Sequence, residues 1–294
     1  MQTILNTDLL VNPDGSVYHL KLQPEQIADT ILIVGDPDRV KAISWYFEDL
    51  EFVVKNREFI THTGYVKGKR ITVISTGIGT DNIDIVLHEL DALVNIDLKK
   101  KEKRSSLHSL DIIRIGTSGS IQPDIPVNTF SLSTYGMGLD NLLRYYQSQS
   151  VLDKKMESEF LKQTGWSIEH VRPYFVKGTD SLINLFRDGM TPGITATAPG
   201  FYGPQGRRLR LDLVDDEMIS KLQKFDYQGE RIINFEMETS ALYGLGALLG
   251  HKVVTVCALI ANRADHTFSL DHLKVMKEMV ELVLDRITHR NENG

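Results

Sequence analysis

The 294-residue chain reads as an α/β protein: a single domain with a mixed central β-sheet flanked by helices. Three observations predict this. Short β-branched runs are each followed by a Gly-containing turn and then by apolar residues at helical spacing, the pattern of strands alternating with helices around a mostly parallel sheet. No long Pro, Gly or Ser stretch interrupts the alternation and no repeat of fixed period is present, so residues 1–294 read as one unit although the length would allow two. Apolar residues make up 41% of the chain, which at this length supports a sizeable core.

In chain order, Thr30 to Val34 is the first strand and a helix begins near Pro37. Glu51 to Lys55 and Arg70 to Ser75 are the next strand candidates, and the second leads into a helix whose Ile83, Val86, Leu87, Leu90, Leu93 and Val94 share one face. Lys99 to Arg104, followed by Ser105 and Ser106, lacks interleaved aromatic residues and reads as a solvated loop rather than a nucleic-acid patch. Asp111 to Ile115, Thr129 to Thr134 and the apolar run Val253 to Ile260 read as further strands. In the last helix Leu273, Met276, Met279, Val280, Val283 and Ile287 recur at helical spacing and are expected to cover one face of the sheet.

Charge and cysteine usage narrow the class. With 33 Lys and Arg against 39 Asp and Glu, the net charge of -6 argues against nucleic-acid and acidic-membrane partners, so a small anion must be caught locally. The one cysteine, Cys257, rules out an intrachain disulfide and favours a cytoplasmic setting. The apolar residues near the start (Ile4, Leu5, Leu9, Leu10) are interrupted by Asp8 and Asn12 with no basic region before them, and no apolar run approaches the roughly 20 residues of a membrane span. A soluble protein is expected.

Four segments can carry chemistry. In Gly35-Asp36-Pro37-Asp38-Arg39, Asp36 can cap the following helix, Pro37 fills its first turn, and the free N–H groups with Arg39 form a candidate anion site; an ordinary capped helix start with a surface Arg is the bland alternative. In Arg114-Ile115-Gly116-Thr117-Ser118-Gly119-Ser120 an Arg lies inside an apolar strand and needs an anionic partner, either an oxyanion ligand, favoured by the adjoining Gly and Thr, or a structural carboxylate. Phe235-Glu236-Met237-Glu238-Thr239-Ser240 places two carboxylates at a strand–helix junction, where they can accept from sugar hydroxyls or simply cap the helix. In the loop Gly200-Phe201-Tyr202-Gly203-Pro204-Gln205-Gly206-Arg207, Gln205 and Arg207 offer donors and an acceptor suited to the O4, N3–H and O2 edge of uracil, and Phe201 offers a ring face; a solvated surface loop is the alternative.

Other chemistries lack support. Gly77-Ile78-Gly79 is not a dinucleotide fingerprint, because the third glycine would fall at Asn82, and neither a Walker-type loop nor metal-ligand spacing is present.

Taken together and in this order, the four motifs resemble the nucleoside phosphorylase family, which includes uridine phosphorylases and the hexameric purine nucleoside phosphorylases. The likeness runs from about Tyr18 to the last helix. It implies a phosphate site of Gly35 backbone, Arg39, Arg114 and Thr117, joined by Arg57 of Asn56-Arg57-Glu58-Phe59 from a neighbouring subunit, so that sites are shared across a dimer interface within a homo-oligomer as large as a hexamer. It implies ribose binding by Met237 and Glu238 with Glu236 beside them, and by His19 reaching the 5′-hydroxyl across the same interface. Gln205 and Arg207 match the uracil-binding residues, and Ile260-Ala261-Asn262-Arg263 resembles the uridine enzymes rather than the purine enzymes, which place a Ser-Asp pair there; Asp265 is the nearest carboxylate.

The resemblance departs in the long loop before Asp111 and from Tyr135 to Lys177. The implied reaction is phosphate-dependent cleavage of uridine to uracil and ribose 1-phosphate, with Arg114, Gln205, Arg207 and Glu238 as catalytic groups, inorganic phosphate as co-substrate and no cofactor or metal. A purine nucleoside phosphorylase of the same fold and a non-catalytic nucleoside-binding protein are the alternatives.

Overall fold

The computed structural model describes residues 4–169 and 171–289. Strand β1 (Thr30–Val34) runs into helix α1 (Pro37–Ser44), and an antiparallel meander of β2 (Asp49–Asn56), β3 (Phe59–Val66) and β4 (Lys69–Ser75) leads into α2 (Thr80–Asn95). A short hairpin of β5 (Ile96–Asp97) and β6 (Glu102–Lys103) precedes the long β7 (Asp111–Ser120) and β8 (Phe130–Gly138). There follow α3 (Lys154–Thr164), β9 (Tyr174–Lys177), α4 (Asp180–Phe186), β10 (Thr191–Thr197), α5 (Met218–Lys224), β11 (Asp226–Tyr227) and β12 (Glu230–Glu236). Last come α6 (Thr239–Leu249), β13 (Lys252–Asn262), β14 (Thr267–Phe268) and α7 (His272–His289).

Twelve strands form one sheet in the order β11-β12-β10-β8-β13-β7-β1-β4-β3-β2, with β9 beside β8 and β14 beside β13. The sheet is mixed, and less parallel than the strand–helix alternation suggests. Two parallel groups, β4-β1-β7-β13 and β8-β10-β12, meet antiparallel where β13 pairs with β8, and the meander adds an antiparallel edge. The short turns of the meander leave no length for a crossover, which forces that edge to be antiparallel. A further pairing of Asn234 and Phe235 with Ser120 and Gly119 closes β7, β13, β8, β10 and β12 into a ring. That closure brings the end of β12 onto β7, and the site depends on it.

The core lies on both faces of the sheet. On β1, Leu32 and Val34 join a cluster with α1, α4 and α7, while Ile31 and Ile33 face α2 and α6. Burial on both faces explains why this strand reads as a continuous apolar run. Helix α7 buries Val275, Met276, Met279, Val280, Val283, Leu284 and Ile287, but Leu273, in its first turn, is 73% exposed and lines a cavity beside Arg39.

Two further expectations are corrected. The strand read as Asp111 to Ile115 runs on as β7 through the Gly-, Thr- and Ser-rich segment 116–120, held by its ladder with β13. The basic stretch Lys99 to Arg104 carries the turn and second strand of the β5–β6 hairpin, and Lys101 pins the N-terminal segment by donating from Nζ to the Leu9 carbonyl at 2.8 Å and accepting from the Ile4 N–H at 2.9 Å. Among the described residues no helix is long and apolar enough to cross a membrane.

Candidate active site

The turns that follow β1 and β4 lie side by side. The Gly77 N–H donates to the Gly35 carbonyl at 3.1 Å, and a Cβ on Gly35 would sit 3.2 Å from the Gly77 carbonyl, a tight contact that the missing side chain at position 35 avoids. Asp36 caps α1 as the sequence indicates, accepting from the Asp38 N–H at 2.9 Å with Pro37 in the first turn. Arg39 projects from that first turn and donates to the Ile115 carbonyl at 3.2 Å. Burial, and then the nearby charge of Arg114, lower its pKa from the usual Arg value.

Arg114 is buried inside β7, and its partners are carboxylates of this chain. One guanidinium nitrogen pairs with Glu236 Oε2 at 3.2 Å and contacts Cys257 Sγ at 3.4 Å; the other bonds Glu238 Oε2. Both readings of the buried Arg were open from sequence, and the structure supplies the structural carboxylate twice over. Burial alone would depress the Arg114 pKa, but Glu238 and Glu236 outweigh it and hold the group above the ordinary Arg value. Gly116 makes the arrangement possible, since a Cβ there would lie 2.2 Å from an Arg114 nitrogen and 2.9 Å from Cys257 Sγ. Cys257 is a buried free thiol whose pKa is pushed up to about 11, chiefly by burial.

The two glutamates differ in what they have left to offer. Glu236 accepts from the Thr197 hydroxyl at 2.7 Å, from the Glu238 N–H at 2.9 Å and from the Thr239 N–H at 3.0 and 3.1 Å, besides pairing with Arg114. Its oxygens are saturated by the start of α6. Expected beside the ribose-binding pair, it is instead an internal anchor, because no lone pair remains for a sugar hydroxyl. Glu238 uses one acceptor position on each oxygen, for Arg114 and for the Gly79 N–H at 2.8 Å, and retains capacity on both. Burial raises its pKa, Arg114 opposes the rise, and Glu236 adds to it. Met237 is half-buried between the two.

Thr117 is half-buried on β7 opposite Ala258 and lines, with Asp36, Arg39, Ile260 and Met276, a cavity of about 420 Å³ between α1, α7 and the end of β13.

The loop carrying Gln205 and Arg207 is held to the end of β13 by a residue that sequence reasoning gave no role. Arg263 donates to the Gln205 carbonyl and to the Gly206 carbonyl at 3.3 Å. Burial and the charge of Arg207 lower its pKa to about 10. Its sequence signals were its place directly after a buried strand and within Ile260-Ala261-Asn262-Arg263. Gln205 is buried in a short 3-10 turn, and its Oε1 accepts from Arg207 at 2.6 Å, while no described residue bonds its Nε2. Arg207 also donates to the Phe201 carbonyl at 2.6 Å and lies 3.8 Å above the Phe201 ring. The ring face expected to meet a base is therefore covered by a guanidinium. Asp265 turns inward on its own loop, accepting from the Thr267 N–H at 3.0 Å and hydroxyl at 2.7 Å.

Arg57 and His19 stand apart from this cluster. Arg57 occupies the β2–β3 turn with φ of 54°, exposed, with its guanidinium 6.0 Å from the Tyr18 ring centre. Asn56 Nδ2 donates to the His19 carbonyl at 2.7 Å and so ties the two segments together. Within one chain Arg39 and Arg114 meet; the third guanidinium does not join them.

Residues 29–289 match the model of the phosphorylase superfamily. The chain belongs to that superfamily. This phosphorylase is 29% identical over 266 residues to the uridine phosphorylase of Thermococcus kodakarensis, covering 87% of this chain and 80% of that protein. It is 27% identical over 273 residues to a DeoD-type purine nucleoside phosphorylase of Bacillus subtilis, covering 92% and 98%. The crystal structure of a Trypanosoma brucei nucleoside phosphorylase, described as showing uridine phosphorylase activity, superposes with a TM-score of 0.87 at 30% identity over 96% of this chain and 100% of that one.

Proposed function

We propose that this phosphorylase is a uridine phosphorylase, a pentosyltransferase that uses inorganic phosphate to convert uridine to uracil and ribose 1-phosphate. One observation carries the reading: a carboxylate with free acceptor capacity, Glu238, is fixed by Arg114 next to Arg39 and the N-terminus of α1, while Gln205 and Arg207 occupy a loop clamped to the end of β13. Names of similar proteins support it, since they include uridine phosphorylases of two organisms among those at 28–29% identity.

In this reading phosphate lies against the Gly35 backbone, the first amides of α1, Arg39, Arg114 and Thr117, and Glu238 with Met237 holds the ribose through its 2′ and 3′ hydroxyls. The C1′–N1 bond breaks with its electron pair going to uracil, C1′ gains cationic character, and a phosphate oxygen bonds to C1′. Alignment of this kind removes about 7–11 kcal/mol of barrier in favourable systems. Gln205 Nε2 and Arg207 donate to the oxygens of the departing uracil anion, which then takes a proton from water; single donors at such positions contribute about 3–4 kcal/mol elsewhere. Arg263 holds the donor loop, and Glu236 holds Arg114 and the start of α6.

His19 and Arg57 complete the site from a second copy, which makes a homodimer the smallest active form and allows a hexamer. The whole chain acts as one unit, and its free thiol suits a reducing cytoplasm.

A panel of uridine, deoxyuridine, thymidine and inosine assayed with and without phosphate tests the proposal. Phosphate-dependent release of uracil, with uridine faster than inosine, is the expected result. Preference for inosine would make the chain a purine enzyme, release of uracil without phosphate a hydrolase, and binding without turnover a nucleoside sensor.

A further inference from the structure

Glu89 lies on α2, and none of the chemistry above uses it. Its side chain is only 10% exposed, and its carboxylate is directed at the segment that carries His19. It accepts from the His19 N–H at 2.9 and 3.0 Å, from the Leu20 N–H at 2.8 Å, and stands 2.6 Å from His19 Nδ1. An ionised carboxylate only accepts, so the last contact requires the ring proton to be on Nδ1. In neutral imidazole the lone pair then lies on Nε2.

Among the described residues nothing bonds His19 Nε2, and the side chain is 27% exposed, so that nitrogen is open to an outside group. The segment is braced from the other side as well. Asn56 holds the His19 carbonyl at 2.7 Å, and the Tyr18 ring meets the imidazole edge-on with centroids 4.9 Å apart. Backbone and ring are thus both fixed, in one block with the Arg57 turn.

We propose that Glu89 is a positioning residue that locks His19 in the Nδ1–H tautomer and so presents Nε2 as the acceptor for the ribose 5′-hydroxyl. The proposal rests on the reading of His19 as the group that meets the 5′ end of the nucleoside. Glu89 does not touch substrate; it decides which His19 nitrogen donates and which accepts. A residue that merely tied down backbone amides would have no such effect.

The variant Glu89→Gln separates the two roles. Its carboxamide oxygen can still accept from the two backbone N–H groups, which leaves its NH₂ facing Nδ1. Nδ1 must then accept, and the ring proton moves to Nε2, reversing the polarity offered to the 5′-hydroxyl.

The experiment compares kcat/KM for uridine and 5′-deoxyuridine in wild type, Glu89→Gln and His19→Ala, together with ¹⁵N NMR of the His19 ring. The wild-type ring should carry its proton on Nδ1 and the Glu89→Gln ring on Nε2. The uridine to 5′-deoxyuridine ratio should fall in Glu89→Gln, by up to about tenfold, the size of one well-made hydrogen bond, because the 5′-hydroxyl must turn from donor to acceptor to keep its contact with Nε2. Parallel loss with both substrates, or an Nε2–H ring in the wild type, overturns the proposal. If His19→Ala leaves the ratio where it was, the placement of His19 at the ribose falls and the proposal falls with it. If His19→Ala abolishes the preference and Glu89→Gln does not, the fault lies with Glu89 alone. The wild-type spectrum decides the tautomer even if a variant fails to fold.

Discussion

The floor of the site sits on strand β7, the end of β12 and the start of α6, where Arg114 is buried between the carboxylates of Glu236 and Glu238. The residues proposed to face the base sit on a loop, where Arg207 bonds the Gln205 side chain and Arg263, at the end of β13, bonds the loop's backbone carbonyls beside the exposed rings of Phe201 and Tyr202. The difference is one of rigidity. A buried ion-pair network anchored on strand ends has little freedom to rearrange, which suits groups proposed to align a nucleophile with a sugar. A loop held by a few donor contacts can vary in sequence without disturbing the sheet, which suits the choice of base.

The sharpest way to break this comparison is Arg114→Ala. Removing one partner of a buried pair costs about 3–5 kcal/mol, because Glu236 and Glu238 are left unpaired. Burial already raises the Glu238 pKa, and without Arg114 the rise is larger. A carboxyl whose folded pKa lies above its unfolded value destabilises the fold at high pH and stops doing so as it protonates. The stability deficit in urea should therefore be greatest near pH 8 and shrink towards pH 5; a deficit flat with pH would show that the carboxylates are not the cause. Phosphate-dependent turnover should fall about 10²–10³-fold, and more steeply than uridine affinity.

Gly116→Ala tests the same floor without removing a charge. The added methyl would lie against the guanidinium and the Cys257 sulfur, so a loss of about 1–3 kcal/mol and a displaced Arg114 are expected. A displacement of order 1 Å is enough for about 10²-fold in rate. Full activity in this variant would mean that the position of Arg114 is less critical than the network implies.

Gln205→Ala should have the smallest effect on stability, about 1 kcal/mol, because it removes one side-chain hydrogen bond to Arg207 while Arg263 still grips the backbone. The uridine-to-inosine rate ratio should nevertheless fall roughly tenfold. An unchanged ratio would remove Gln205 from base selection and leave that task to Arg207 and Arg263.

Much of the fold was legible because its central strands are apolar on both faces and its helices on one. β1, β13, α2 and α7 announce themselves in this way, and Asp36 with Pro37 marks the start of α1 as plainly. β3, β10 and β12 did not, because buried polar residues such as His62, Thr195 and Asn234 break their apolar pattern and bond to partners well removed along the chain.

The site divides along the same line. That Arg114 needs a negative partner follows from one charged residue in an apolar run, and the four motifs with their order follow from the sequence as well. Which anion answers Arg114 was settled by the pairing of β12 with β7, which carries Glu236 and Glu238 across more than a hundred residues of chain. The same applies to Arg263 on the base loop, to the face of Phe201 covered by Arg207, and to Glu89 beneath His19. Periodicity and capping act within a few residues and are written locally, whereas a buried charge finds its partner only once distant strands have closed around it.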